Sequence, residues 1–162
     1  MNVPGPRAVL DTSVLVSAIL RPDGPSGAIL RAARRRRFVM ITSPAILDEL
    51  VNVLTRPKLR ARARVTFEDV AKIRLALQQF AETVPGAYRD VEAVATDPKD
   101  NPVVATALEG EADHLVTLDE RDLLALKVIL GRAHRPVQIV SPPDFLKGLG
   151  SRRRTRGSQR GR

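Results

Sequence analysis

The sequence predicts an α/β fold, a three-layer α/β/α domain with a mainly parallel central sheet. Short apolar segments alternate along the chain with longer segments of helical periodicity, which is typical of strands connected by helices. With 162 residues and 43% hydrophobic content, the chain is large enough to bury one substantial core. No internal repeat or linker marks a second domain. We therefore expect one domain over residues 1–147 and an arginine-rich tail over residues 148–162.

The first predicted strand is the apolar run Arg7–Leu10, which ends at Asp11, and the segment Val14–Leu20 predicts a helix directly after it. Asp11 would then lie at the carboxyl end of a strand, where open α/β sheets place their chemistry. The alternative is that Asp11 caps the helix, although the neighbouring hydroxyls of Thr12 and Ser13 could also do this.

A helix from Ser26 to about Arg36 precedes the second predicted strand, which is Phe38–Thr42. The dipeptide Ser43-Pro44 then begins a helix that continues to Leu54 or Thr55. At about 100° per residue, Glu49 lies beside the apolar stripe of this helix and Asp48 lies slightly farther from its other edge. Periodicity therefore prefers Glu49 to Asp48 only weakly as a residue that faces a cleft.

The next segments contain no residue that suggests a catalytic role. Lys58–Arg64 predicts a short helix or turn, and Thr66 resembles an N-cap with Asp69 three residues later. We expect the following helix to end near Gly86 and to turn Phe67 inward, together with Val70, Ile73, Leu77 and Phe80.

The stretch Asp97-Pro98-Lys99-Asp100-Asn101-Pro102 predicts the start of another helix. Asn101 is a good N-cap and Pro102 suits the first helical position, so the helix should continue to about Glu109. Capping does not require Asp97 or Asp100. The simplest interpretation is a well-formed helix start, and the alternative is a pair of functional acids.

The remaining elements follow the same alternation. His114–Thr117 predicts a third strand with Asp119 just past its end, and Leu123–Leu126 predicts a helical segment. A last strand at Val137–Val140 is followed by a short helix capped by Ser141.

The net charge of +9 is unevenly distributed, and without the C-terminal tail it falls to +3. Six arginines and no acid lie between Ser151 and Arg162, in a low-complexity segment that we expect to be disordered and attracted to nucleic acid. A solvated terminus without a specific role is equally compatible with this composition. The run Arg34–Arg37 complements the end of a helix, and phosphate binding is a further possibility.

The composition also excludes several kinds of site. The chain has no cysteine and two histidines, which leaves carboxylate oxygens as the candidate metal ligands. No apolar run is long enough to span a bilayer, and Asp11 interrupts the N-terminal one, so we expect a cytoplasmic protein. No P-loop, G-x-S-x-G elbow or Cys/His pair is present.

Four acids occupy similar junctions between apolar and polar segments, and they are Asp11, Glu49, Asp100 and Asp119. Four carboxylates in one cleft repel each other unless a cation neutralises them. Mg²⁺ and Mn²⁺ prefer such oxygen ligands, and these ions can activate water and stabilise a phosphodiester under attack. This constellation in a basic protein predicts a phosphodiesterase.

The chain resembles the PIN domain family and is similar to the VapC-like toxin ribonucleases of toxin–antitoxin pairs. The matching motifs are Val9-Leu10-Asp11-Thr12-Ser13, Ser43-Pro44-Ala45-Ile46-Leu47-Asp48-Glu49-Leu50 with Arg56-Pro57-Lys58-Leu59, Asp97-Pro98-Lys99-Asp100-Asn101, and Asp113-His114-Leu115-Val116-Thr117-Leu118-Asp119. The resemblance implies an endoribonuclease that uses Mg²⁺ or Mn²⁺ to cleave single-stranded RNA, a small antitoxin partner and a homodimer.

The resemblance also implies roles for individual residues. Asp11, Glu49 and Asp100 would be the core acids, with Asp119 as a more variable fourth, and these four would be the catalytic metal ligands. Thr12 and Thr117 would be supporting hydroxyls, and Asn101 and Asp122 supporting residues, Asp122 as an outer substitute for Asp119. Two residues depart from the family pattern: Ser13 stands where asparagine is common and Leu118 where glycine is common.

Two rival functions remain open from the sequence. The first is a PIN-like module that binds RNA or a protein partner but cleaves poorly, motivated by the bulky Leu118 beside Asp119. The second is a receiver-type signalling domain, which also collects acids at strand ends. That class requires a cleft lysine, and no lysine follows a predicted strand.

Overall fold

The computed structural model describes residues 5–86, 101–130 and 135–157. It confirms the predicted α/β class: helices flank a six-stranded sheet of order β3-β2-β1-β4-β6-β5. Every neighbouring pair is parallel except β5 and β6. The strands are β1 Arg7–Leu10, β2 Val39–Thr42, β3 Glu82–Thr83, β4 His114–Val116, β5 Val128–Leu130 and β6 Pro136–Val140. The helices are α1 Thr12–Leu20, α2 Pro25–Arg34, α3 Pro44–Leu54, α4 Pro57–Ala63, α5 Phe67–Phe80, α6 Asn101–Glu109, α7 Leu123–Leu126 and α8 Pro142–Gly157.

Strand β1 lies at the centre of the sheet and of the core. Its last three side chains are completely buried, as a strand covered on both faces requires. Val9 is in register with Ile41 of β2 on one side and with Leu115 of β4 on the other. These short apolar strands explain why the core consists mainly of aliphatic residues.

The carboxyl ends of β1, β2, β4 and β6 lie at one edge of the sheet, which we call the carboxyl edge. From β1 the chain proceeds to β2 on one side, while β4 lies on the other side of β1. The gap between the ends of β1 and β4 is therefore a topological switch point, where open α/β sheets bind their ligands.

The opposite edge, the amino edge, is held together by Arg7. Its guanidinium forms a two-point ion pair with Glu82 of β3, with N–O distances of 2.8 and 3.0 Å, and donates to the carbonyl of Gly110. Its backbone N–H donates to Asp113 at 2.9 Å. One side chain therefore connects β1, the edge strand β3 and the connection before β4.

Two strands were not predicted, and one predicted side-chain orientation is wrong. The edge strand β3 has two residues, both exposed, and β5 directly follows the short helix α7. Neither segment shows the buried apolar pattern of the central strands. Phe67, predicted to face inward, is 61% exposed, and the Arg60 guanidinium stacks over its ring at 4.1 Å.

Helix α8 continues to Gly157, through residues 148–157 of the predicted tail. The buried side chains of Phe145 and Leu149 anchor the helix to the core, and arginine is a good helix former, so the following residues extend it. Residues 158–162 lie outside the described part of the chain. None of the described helices is both long and apolar enough to cross a membrane.

Candidate active site

Asp11 lies at the switch point, directly after β1, and its side chain is 6% exposed. It occupies the N-cap position of α1 with extended backbone angles, yet its side chain makes no capping hydrogen bond. Instead, Oδ2 accepts hydrogen bonds from the hydroxyls of Ser13 at 3.0 Å and Thr117 at 2.8 Å. The capping alternative therefore does not explain this carboxylate.

Thr117 connects the ends of the two central strands. It follows β4, is fully buried, and its hydroxyl donates to Asp11 while accepting from the backbone N–H of Asp119 at 3.0 Å. The backbone N–H of Asp11 in turn donates to the carbonyl of Val116 at 2.9 Å. A single hydroxyl thus fixes the position of Asp11 relative to the loop that contains Asp119.

Helix α3 directs Glu49 toward the same region. Glu49 Oε2 accepts a hydrogen bond from the Thr12 hydroxyl at 3.0 Å. Its neighbour Asp48 forms an ion pair with Arg74 of α5 at 2.6 Å. The orientation of α3 therefore turns Glu49 toward the Asp11 region and Asp48 toward α5. Sequence periodicity preferred Glu49 to Asp48 only weakly.

Asp119 is half-buried and is partly engaged in local structure. Its Oδ1 accepts from the backbone N–H groups of Arg121 and Asp122, both at 3.1 Å, and its carbonyl accepts from Leu124 of α7. One carboxylate oxygen therefore stabilises the turn into α7. The half-buried Asp122 follows at the N-cap position of that helix.

The two departures from the PIN pattern contact each other. The Ser13 hydroxyl accepts from the backbone N–H of Leu118 at 3.2 Å while it donates to Asp11, and the Leu118 side chain is 44% exposed. Sequence reasoning missed this role of Ser13. The available signal was a hydroxyl two residues after a strand-end aspartate, a spacing that permits a local side-chain hydrogen bond.

Burial raises the pKa of Asp11 above its ordinary value, because desolvation disfavours the charged form, and the nearby Glu49 carboxylate acts in the same direction. Hydrogen bonds from Thr117 and Ser13 oppose the rise in pKa. Among the described lysines and arginines, none forms an ion pair with Asp11. A cation beside Asp11 would therefore relieve an uncompensated buried charge.

The donor set at this edge consists of carboxylate and hydroxyl oxygens, which fits a hard divalent cation. The described residues alone contain no group of three or more acidic, histidine or cysteine side chains able to hold a metal ion. Asp100 lies outside these residues, as does Asp97, and the side chain of Asn101 is not described. The predicted helix itself is confirmed as α6, Asn101–Glu109.

Helix α6 begins at the carboxyl edge. The Thr106 hydroxyl, in the middle of α6, donates to the hydroxyl of Ser43, which directly follows β2. At the other end of α6, the carbonyl of Gly110 accepts from Arg7 at the amino edge. The first turn of α6 therefore lies at or beyond the level of Ser43, on the side of the sheet edge where Asp11 is found.

An α/β domain with a buried aspartate at the switch point and further acids around it fits the class of PIN-like domains. A model of the PIN domain matches residues 7–121, which is more than half of the chain. The chain therefore belongs to the PIN domain family, whose members are generally nucleases and typically depend on divalent metals.

The uncharacterized protein MJ1680 of Methanocaldococcus jannaschii is 30% identical over 147 residues, which cover 87% of this chain and 90% of that protein. A chain in the crystal structure of VapBC2 from Rickettsia felis bound to a DNA fragment from their promoter has a TM-score of 0.52 at 16% identity. That match covers 71% of this chain and 89% of the VapBC2 chain, and it supports the fold alone.

Proposed function

We propose that this protein is an endoribonuclease that uses Mg²⁺ or Mn²⁺ to hydrolyse phosphodiester bonds of single-stranded RNA. The observation that carries the proposal is the buried Asp11 at the switch point, hydrogen-bonded to Thr117 and close enough to Glu49 for the two charges to interact. Membership of a family that generally consists of nucleases supports the same chemistry.

In this proposal Asp11, Glu49, Asp100 and Asp119 hold the divalent cation. A bound cation of this kind supplies an activated water and stabilises negative charge on the phosphodiester. The hydroxyls of Thr117 and Ser13 orient Asp11, and the Thr12 hydroxyl orients Glu49. Asn101, at the start of α6, and Asp122, beside Asp119, are supporting residues.

The position of Asp100 in the chain favours its inclusion. It directly precedes α6, whose first turn lies at the carboxyl edge, and the positive end of that helix dipole favours an acidic group there. The Asp119 side chain is less free to move toward the proposed cation, because its Oδ1 accepts two backbone hydrogen bonds.

We further propose that the protein is the toxin of a toxin–antitoxin pair in the cytoplasm, with a small antitoxin that covers the acidic cleft, and that it forms a homodimer. The resemblance of the sequence motifs to those of VapC-like toxins supports this biology. A short neighbouring gene for a DNA-binding protein would be the expected genomic context.

The test is cleavage of single-stranded RNA with Mg²⁺ or Mn²⁺, with and without a chelator. We expect metal-dependent cleavage by the natural chain and loss of at least about a hundredfold in Asp11→Asn and Asp100→Asn, because each removes a charged ligand. The matched control is Asp48→Asn, an acid on the same helix as Glu49 that pairs with Arg74 instead. Full activity of either site variant would remove that residue from the mechanism.

A second candidate function is an RNA- or partner-binding module with weak cleavage. It is favoured by the engagement of Asp119 Oδ1 in the turn before α7 and by the exposed Leu118 beside it. RNA affinity without turnover that depends on a divalent metal would select this candidate over the first.

A further inference from the structure

Helix α2 ends in a run of four arginines, Arg34–Arg37, in a defined turn. The N–H of Arg36 donates to the carbonyl of Ala33 at 2.9 Å, and the N–H of Arg37 donates to the carbonyl of Ala32 at 3.0 Å. This pair of bonds is the Schellman motif, in which the residue after the C-cap adopts the left-handed conformation.

Arg36 occupies that left-handed position, with φ of 56°. Glycine is the usual residue there, because it has no Cβ to collide with the backbone. An arginine at this position is thus unfavourable for the turn, and backbone strain of this kind is a reason to look for a function of the side chain.

The arginine run lies at the amino edge, where the C-terminal half of α8 also lies. A Cβ at Gly5 would collide with the carbonyl of Arg37, and the carbonyl of Pro6 accepts from Val39. Ser151 of α8 lines a groove together with Pro6. The helix then continues through the positions of Arg152, Arg153, Arg154 and Arg156.

The charges of the run are available for a ligand. Arg34, Arg35 and Arg36 are exposed, and within the described ranges none of the three forms an ion pair or a side-chain hydrogen bond. Four adjacent cations repel each other, and a polyanion placed across them would remove that repulsion.

We propose that Arg34–Arg37 form a second RNA-binding surface at the amino edge, opposite the carboxylate site. This inference rests on the proposed function, in which RNA is the substrate. It assigns a second place on the protein where that RNA binds. The surface contacts phosphates and does not read sequence, because it offers only repeated cations.

The position of the surface sets a minimum length for RNAs that use it. A strand that runs around a domain about 30 Å across follows a surface path of about 47 Å from one edge to the other, and phosphates of a stacked strand are about 3.4 Å apart, so about 14 nucleotides are needed to reach both edges. Short RNAs occupy one edge only. The protein should therefore select long or structured RNAs over short fragments.

The experiment measures binding of RNAs of about 6, 15 and 30 nucleotides with hydrolysis-resistant phosphorothioate linkages in the presence of Mg²⁺, by fluorescence anisotropy over a series of salt concentrations. We compare the natural chain with Arg34→Gln/Arg35→Gln/Arg36→Gly and with the single variant Arg36→Gly. The control is Lys127→Gly, because Lys127 is also exposed and left-handed, with φ of 60°, and lies between α7 and β5.

We expect the natural chain to gain affinity steeply between about 6 and about 15 nucleotides. The triple variant should lose this gain, bind the longest RNA at least about tenfold more weakly, and show a salt slope smaller by about 2, at about 0.7 per lost phosphate contact. The single variant should lower the slope by about 0.7 while its melting temperature stays equal or rises, since glycine relieves the strained turn.

Equal RNA binding by the triple variant and the Lys127→Gly control would overturn the proposal, as would a loss of affinity that is the same for short and long RNAs. Binding of the arginine run to phosphatidylglycerol vesicles in place of RNA would also overturn it. Cleavage with Mg²⁺ or Mn²⁺ is measured separately. Absent cleavage with intact length-dependent binding contradicts the proposed function alone, and the reverse result contradicts this surface alone.

Discussion

The Thr117 hydroxyl donates to Asp11 at 2.8 Å and joins the strands on both sides of the switch point. Replacing it by valine keeps the shape and removes both hydrogen bonds. We expect Thr117→Val to lower metal-dependent cleavage about 10- to 100-fold, as is usual for residues that orient metal ligands. We also expect a loss of about 1–3 kcal/mol of unfolding free energy, measured by denaturant titration.

Thr42 provides the matched control at the end of the neighbouring strand β2. It is also fully buried, but its hydroxyl has no hydrogen-bond partner among the described residues. Thr42→Val should therefore leave stability unchanged or increase it, because an unsatisfied buried hydroxyl is removed. Equal effects of the two substitutions would show that the Thr117 hydroxyl has no special role.

Glu49 and Asp48 are adjacent acids with different partners, so they form a second matched pair. We expect Glu49→Gln to lower cleavage by at least about tenfold, because it removes charge from the proposed metal site. Asp48→Asn should lose at most about 1 kcal/mol of stability, since the Asp48 side chain of its ion pair with Arg74 is 63% exposed, and should keep its activity. RNA cleavage rates and thermal melts measure both effects, and the opposite ranking would contradict the assignment of Glu49.

At the scale of elements, the ion pair between β1 and β3 predicts a pH dependence. The hydrogen bonds and charge of Arg7 hold the pKa of Glu82 below its ordinary value of 4.5. The folded state is therefore stabilised by ionised Glu82 above about pH 4.5, and this stabilisation is lost as the pH falls through the lowered pKa.

The measurement is the difference in melting temperature between the natural chain and Glu82→Gln across pH. We expect the variant to be less stable at neutral pH and the difference to shrink below about pH 4 as Glu82 is protonated. Glu68→Gln is the control, because the Glu68–Lys72 pair is more than two-thirds exposed on both sides. A constant difference at all pH values would show that the ionised form of Glu82 is not what stabilises β3.

The elements that the sequence could predict are those with a buried periodic pattern. The strands β1, β2, β4 and β6 and the helix starts at Pro44, Phe67 and Asn101 follow from apolar runs and capping residues. The edge strands β3 and β5 could not be predicted in this way, because β3 has two exposed residues and β5 alternates over only three. Their pairing depends on neighbours distant in sequence, such as Arg7 for β3.

At the scale of the whole molecule, the order of the strands in the sheet determines which acidic side chains lie close together. The composition of the chain does not specify that order. The sequence placed Asp11 and Asp119 at strand ends, but the Thr117 bridge between them requires that β1 and β4 be neighbours. Whether α3 presents Glu49 or Asp48 depends on how that helix packs against α1 and α5. Ser13 contacts Leu118 only because the loops after β1 and β4 are adjacent.

Calorimetric and thermal titration with Mn²⁺ or Mg²⁺ tests most directly whether these carboxylates hold a divalent cation. For the natural chain and for Asp48→Asn we expect saturable binding and, at about 100 times the dissociation constant, stabilisation by about 2.7 kcal/mol, or roughly 5–10 °C in melting temperature. Asp11→Asn should show neither effect. Equal metal binding by Asp11→Asn and the natural chain, or no binding by either, would contradict a metal centre at the carboxyl edge.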